Sequence, residues 1–121
     1  MKNGLIIARD GTKEWYQNGL LHRTDGPAVE GTNGFKLWYQ NNKLHRTDGP
    51  ALEYPGGSRA WYQNGNRHRI DGPAVVYSSR DYKEWWLNDK KYTEIDYYKE
   101  LYRRKIISEI DCIFSITKAV F

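Results

Sequence analysis

Polar and apolar positions in this chain follow one cycle, written three times with a period of 23 residues. The copies read WYQNGLLHRTDGPAVE from Trp15, WYQNNKLHRTDGPALE from Trp38 and WYQNGNRHRIDGPAVV from Trp61; an eroded fourth, WWLNDKKYTE, starts at Trp85. A fixed period of this length predicts stacked supersecondary units that bury their apolar faces only against each other. Each cycle divides into three short strands. The first spans residues 13–17, 36–40 and 59–63 and ends in the Trp-Tyr pair. Asn18-Gly19 and Asn64-Gly65 follow, and both residues of such a pair accept the positive φ of a type I′ hairpin turn. Asn41-Asn42 stands there in the second copy; Asn tolerates the same conformation less well than Gly. The second strand is Leu21-His22-Arg23, Leu44-His45-Arg46 and Arg67-His68-Arg69. It stops at Asp-Gly-Pro, where Asp bonds its own backbone ahead, Gly relaxes φ and Pro removes a ladder donor. The third strand is Ala28-Val29-Glu30, Ala51-Leu52-Glu53-Tyr54 and Ala74-Val75-Val76-Tyr77, closed by a second turn at 31–34 and 55–58.

Alternation sends neighbouring Trp and Tyr side chains to opposite faces. The Trp row is assigned to the core, because the larger apolar area is the costlier to leave wet, and the Tyr row to the outer face. A leading strand at Gly4 to Ala8 precedes the first unit. After Tyr77 the period fails: Tyr92-Thr93-Glu94 replaces the His-Arg-x-Asp-Gly-Pro half. Thr93 followed by Asp96 has the form of a helix N-cap with an acidic first turn. Ile95, Tyr98, Tyr102, Ile106, Ile110 and Ile113 then fall at helical spacing, which predicts a helix over about 94–110 that shields an open sheet edge. The apolar tail from Cys112 to Phe121 extends this helix, packs back on the repeats or meets a second subunit. The expected fold is therefore mainly β: one domain, an antiparallel β-hairpin repeat meander or solenoid with a C-terminal helical cap. Its parts are a leading strand (1–9), three repeats (10–77), a degenerate capping repeat (78–92) and a C-terminal helix with its tail (93–121).

Composition adjusts this picture in three places. Leu, Ile, Val and Phe total only 24 of 121 residues, so the 5 Trp and 10 Tyr must supply the missing apolar area. The net charge of +4 is mild and there is no basic arm, so nothing marks a dedicated nucleic-acid binder. The single cysteine, Cys112, allows no internal disulfide and no cysteine zinc cluster, which favours a reducing compartment and a cytoplasmic location. The first residues, MKNGLIIARDG, have too short an apolar run for a signal peptide or a membrane span.

The run W-Y-x-N-G-x-x-H-R-x-D-G-P-A resembles a family of short aromatic β-repeats, distantly similar to MORN repeats, that is common in bacteriophages and large DNA viruses. The ending WWLNDKKYTE followed by a helix is also similar to that family's usual finish, and the resemblance covers residues 10–100. MORN repeats carry Gly-x-Gly at the second turn where this chain has Asp-Gly-Pro. The resemblance implies a β-repeat fold and a viral or bacterial source, and it implies no particular activity.

The most chemical-looking constellation is His22, Arg23 and Asp25 with its two echoes. A His near a carboxylate is a candidate general base, and an Arg can clamp phosphate. Threefold repetition argues for a scaffold role instead, since a catalytic site occurs once per domain; no catalytic residue is assigned. One zinc ion cannot bridge histidines of successive units, which strand spacing places roughly 10–14 Å apart, so no metal and no cofactor is expected. Arg103-Arg104-Lys105 reads as a solvated helix face and the Gly-rich stretches as turns. The candidate binding residues are Tyr16, Tyr39 and Tyr62 on the outer face, joined by Arg23, Arg46 and Arg69, because Tyr and Arg are enriched at protein–protein hot spots.

These features point to a non-catalytic, protein-binding module. The resemblance adds a more specific expectation: a phage- or virus-encoded accessory protein that blocks a host protein, such as a CRISPR–Cas or other defence component, by steric occlusion. Two alternatives stand beside it. One is a nucleic-acid or nucleotide sponge, in which the same rings stack on bases. The other is a structural module that forms homodimers through its C-terminal segment.

Overall fold

The computed structural model describes residues 1–120. β1 (Gly4–Ile7) leads. The first unit holds β2 (Lys13–Gln17), β3 (Leu20–Leu21) and β4 (Val29–Glu30). The second holds β5 (Lys36–Leu37), β6 (Tyr39–Gln40), β7 (Lys43–Leu44) and β8 (Leu52–Glu53), and the third β9 (Arg59–Ala60), β10 (Tyr62–Gln63), β11 (Asn66–Arg67) and β12 (Val75–Tyr77). The eroded unit is the hairpin of β13 (Tyr82–Leu87) and β14 (Lys90–Tyr92), followed by α1 (Glu94–Arg103) and α2 (Glu109–Val120). The chain is thus a mainly β, antiparallel meander with a helical end, as its pattern predicts.

Two ladders run along the molecule. The longer follows the order β1-β2-β4-β5-β8-β9-β12-β13-β14, and β1 and β14 do not meet, so the sheet stays open. The shorter stacks the Asn-turn hairpins: the Arg23 N–H donates to the Tyr39 carbonyl (3.1 Å), Arg46 to Tyr62 (3.2 Å) and Arg69 to Trp86 (3.2 Å). Trp38 and Trp61 stand where the backbone crosses from one ladder to the other. The Trp38 N–H donates to Ala51 (2.7 Å) while its carbonyl accepts from His45 (3.0 Å), and Trp61 does the same with Ala74 and His68. The second strands accordingly end before His and Arg: the His N–H still bonds the Trp carbonyl of its own unit, and the Arg N–H turns to the next unit.

All four hairpin turns have positive φ at both central residues: Asn18 and Gly19, Asn41 and Asn42, Asn64 and Gly65, Asn88 and Asp89. Where the second residue is not Gly, its side chain bonds the preceding unit. Asn42 Oδ1 accepts from Leu21 N–H (3.4 Å) and Asp89 Oδ1 from Arg67 N–H (3.2 Å), which offsets the left-handed strain.

Small residues form the core of the repeats. Ala28, Ala51 and Ala74 are fully buried, with Val29, Ala60 and Val75 beside them. The Trp rings, assigned to the core from their size, are only half-buried, as are the Tyr rings. The larger apolar cluster lies at the helical end, where Leu87, Tyr97 and Leu101 are buried among Trp85, Tyr92, Tyr98 and Ile107. Thr93 caps α1 through its hydroxyl, which accepts from Asp96 N–H at 3.1 Å.

The single helix expected over 94–110 is instead two. α1 stops because Lys105 adopts φ +60°, the Ile106 N–H reaches back to Leu101 (2.9 Å) and the Lys105 N–H to Tyr102 (2.9 Å). That bond pair is a Schellman motif with Lys in the place usually held by Gly. Ser108 restarts the chain as α2 by accepting from Asp111 N–H at 3.1 Å. The apolar tail is therefore a second helix packed on α1; Phe121 lies outside the described residues.

Candidate functional site

The His-Arg-x-Asp-Gly-Pro segment folds back on itself in the same way in each unit. Arg23 Nε donates to Asp25 Oδ1 (2.9 Å), and one terminal nitrogen donates to the Pro27 carbonyl (3.0 Å) and to Glu30 (3.5 Å). Arg46 repeats this with Asp48 (3.0 Å), Pro50 (3.0 Å) and Glu53 (3.1 Å). Arg69 bonds Asp71 and Pro73 alone, because Val76 stands where the other units have Glu. Each guanidinium also lies over its unit's Trp ring, its Cζ 3.9 Å from the centroid of Trp15, 3.8 Å from Trp38 and 3.7 Å from Trp61. Contacts of this kind are worth about 1 kcal/mol each when partly desolvated.

Gly of the Asp-Gly-Pro turn makes room for this fold-back. A Cβ at Gly26, Gly49 or Gly72 would lie 2.9 Å from the Arg Cζ. The bond from Arg23 holds the Asp25 carboxyl below its ordinary range.

The histidines join units. His22 Nδ1 accepts from Asn41 N–H (3.1 Å), His45 from Asn64 (3.0 Å) and His68 from Asn88 (3.0 Å). Each ring therefore presents a bare nitrogen to the next hairpin turn, which requires the neutral form. Asn3 Oδ1 does the same for Asn18 N–H at 2.8 Å, so the leading segment imitates a preceding unit. Burial first, and the charge of Arg104 second, lower the proton affinity of His68.

The two faces of the repeat are consequently different. Open polar grooves of about 440 and about 540 Å³ repeat on the Trp side; the first lies between Thr24-Asp25 and Trp38-Gln40, the second one unit further on. The Tyr side carries a recess of about 280 Å³ with Tyr54, Tyr62 and Tyr77 around it, apolar Leu52 and Val75 within it, and Arg59, Arg67 and Glu84 in its wall. The Arg67 guanidinium lies 5.8 Å from the Tyr62 ring centroid and 4.7 Å from that of Trp86.

Of the six expected binding residues, Tyr39 and Tyr62 are neighbours: burial first and Tyr62 second push the Tyr39 hydroxyl up. Tyr16 donates to Glu14 (3.1 Å) beneath the Lys2 ammonium, 5.0 Å from its ring centroid. Arg23, Arg46 and Arg69 are not in this company; they lie on the Trp side, with side chains only 21–22% exposed.

Tyr54, Tyr77, Arg59 and Arg67 line the Tyr-side recess and are not among the residues expected from the sequence. The available signal was that Tyr54 and Tyr77 are themselves one period apart. The first unit has Gly31 at that position, and Phe35 fills the space: a Cβ on Gly31 would lie 2.0 Å from the Phe35 ring. An aromatic ring is thus supplied in each unit, from either side of the same turn.

Among the described residues no group of three or more His, Cys, Asp and Glu side chains is placed to hold a metal ion. Among them, no helix is long and apolar enough to cross a membrane. Comparison with protein-family models, with curated proteins and with solved structures finds no match to this chain.

Proposed function

We propose that this repeat is a non-catalytic binding module that docks a protein partner on its Tyr side, around Tyr54, Tyr62 and Tyr77. The carrying observation is the commitment of Arg23, Arg46 and Arg69. Each has its Nε and a terminal nitrogen bonded within its own unit and its Cζ over that unit's Trp ring. They support the scaffold rather than offer free cations to a phosphate backbone, and this weighs against the nucleic-acid sponge. The Tyr side combines aromatic rings, an aliphatic floor and two arginines at the rim, the composition of protein–protein hot spots.

A host protein is the partner to test first, given the resemblance to repeats of phages and large DNA viruses; steric occlusion of a CRISPR–Cas or other defence component in the host cytoplasm is the mechanism proposed. Affinity capture from a bacterial lysate, before and after phage infection, tests this reading. One stoichiometric protein is expected on the wild-type chain, and its recovery should fall at least tenfold on Tyr54→Ala/Tyr77→Ala. Both rings are nearly half exposed, at 49% and 44%, so the variant should keep its fold. Retention of single-stranded oligonucleotide without any protein, with affinity falling steeply in salt, would replace this reading with the sponge.

A further inference from the structure

The helix α2 carries two apolar stripes, and only one is used within the chain. Cys112, Ser115, Ile116 and Ala119 form the less exposed stripe, on the packed side of the helix; the Cys112 thiol donates to the Tyr98 carbonyl at 3.4 Å. The other stripe is open: Ile110 is 79% exposed, Ile113 58%, Phe114 68% and Val120 56%. A helix that is apolar on both sides is ordinarily covered on both sides.

The geometry points to a second copy of this chain as the cover, with the two α2 helices antiparallel about a twofold axis beside Phe114. Ile110, Ile113, Thr117 and Val120 are spaced 3-4-3, the seam of a short two-helix contact. In the antiparallel register Phe114 meets Phe114 of the second copy, Ile113 faces Thr117, and Ile110 faces Val120.

Charge selects this arrangement. Asp111 and Lys118 are seven residues apart and so lie on the same flank of the open stripe. Neither makes an ion pair among the described residues. Flanks of the same side meet in an antiparallel pair, which sets Asp111 against Lys118 of the second copy, twice by symmetry. A parallel pair would instead bring two acidic N-termini, each with Glu109 and Asp111, side by side and align the helix dipoles unfavourably. Like the α2 stripe itself, this interface lies apart from the Tyr-side recess and does not depend on it.

Sedimentation or light scattering of the intact chain over a concentration series tests the proposal. The expected mass is twice that of the chain, and Ile113→Glu/Phe114→Glu should give a monomer with an unchanged far-UV spectrum, since both side chains are exposed. Asp111→Lys and Lys118→Asp should each weaken the dimer about tenfold, by losing two attractions and gaining two repulsions. An equal mixture of these two variants should restore it, because each supplies the charges the other lacks. Tyr54→Ala/Tyr77→Ala should leave the mass unchanged. A monomer at every concentration, or a dimer indifferent to Ile113→Glu/Phe114→Glu, overturns the interface. Weakened single variants that do not recover on mixing overturn the antiparallel register.

Discussion

Arg46 shows what the repeated motif accomplishes. Its reach covers Asp48, Pro50 and Glu53 ahead and Trp38 behind, so one side chain ties the Asp-Gly-Pro turn to the strand before it and the strand after it. His45 beside it acts outward, on Asn64 of the next unit. Arg closes a unit and His joins it to its neighbour, which is why both recur. The His role carries a pH signature at His68, whose proton affinity is depressed by burial and by Arg104. A depressed value means that the contribution of the His68–Asn88 bond is complete above about pH 6.5, the ordinary histidine value, and is lost as pH falls through the lower folded-state value. Protonation removes an acceptor worth about 1 kcal/mol. His68→Asn should flatten that part of the acid-side decline in the urea midpoint, because Asn3 already performs the same task at Asn18 without titrating. An acid-side slope identical to wild type would show that His68 does not titrate through this bond.

At the scale of elements, α1 takes the place of a fourth unit. The Tyr97 hydroxyl sits in the third unit's turn, near the carbonyls of Arg69 and Gly72, and it accepts weakly from the Gly72 N–H (3.4 Å). The side chain is completely buried, and burial pushes its phenol well above the ordinary range. Tyr97→Phe keeps the ring within the Leu87–Leu101 cluster and removes only these polar contacts. It should lower stability by about 1–3 kcal/mol, the cost of leaving buried polar groups unpaired, as read by chemical denaturation. A midpoint equal to wild type would mean that the cap holds by apolar contact alone. The break between α1 and α2 was half legible: Ser108 with Asp111 three residues on is an N-cap signal, but Lys105 gives no sign of a left-handed stop. Helical spacing continues through 106, 110 and 113 across that break, so periodicity alone joined the two helices.

Across the whole molecule the unit boundaries are interchangeable. Glu30 pairs with Lys36 and Val29 with Leu37, while Glu53 pairs with Arg59 and Leu52 with Ala60. Deleting residues 36–58 would join the first unit to the third with the same register and offer Asn64 N–H to His22. The shortened chain should fold cooperatively with a lower midpoint, having lost one unit and one interface, while its far-UV spectrum keeps the β and helical contributions. Failure to fold would mean that the array is a single indivisible core.

The sequence by itself determined the unit, the positive-φ turns and the presence of a helical end. Each of these depends on residues adjacent in the chain: Asn18-Gly19, Asp25-Gly26-Pro27, Thr93 with Asp96. It did not determine that the first strand breaks at Trp38 and Trp61, which gives the second and third units four strands. Only the tertiary structure decided where the side chains go. Arg23 meets Trp15, eight residues earlier, and Glu30, seven later, because the two ladders bring distant strand ends together. The same stacking gathers Tyr54, Tyr62 and Tyr77 into one recess and sets Arg23, Arg46 and Arg69 on the opposite side. Period two can say that Trp and Tyr part company, but which face is covered depends on what folds across it, and that was Arg from the following loop.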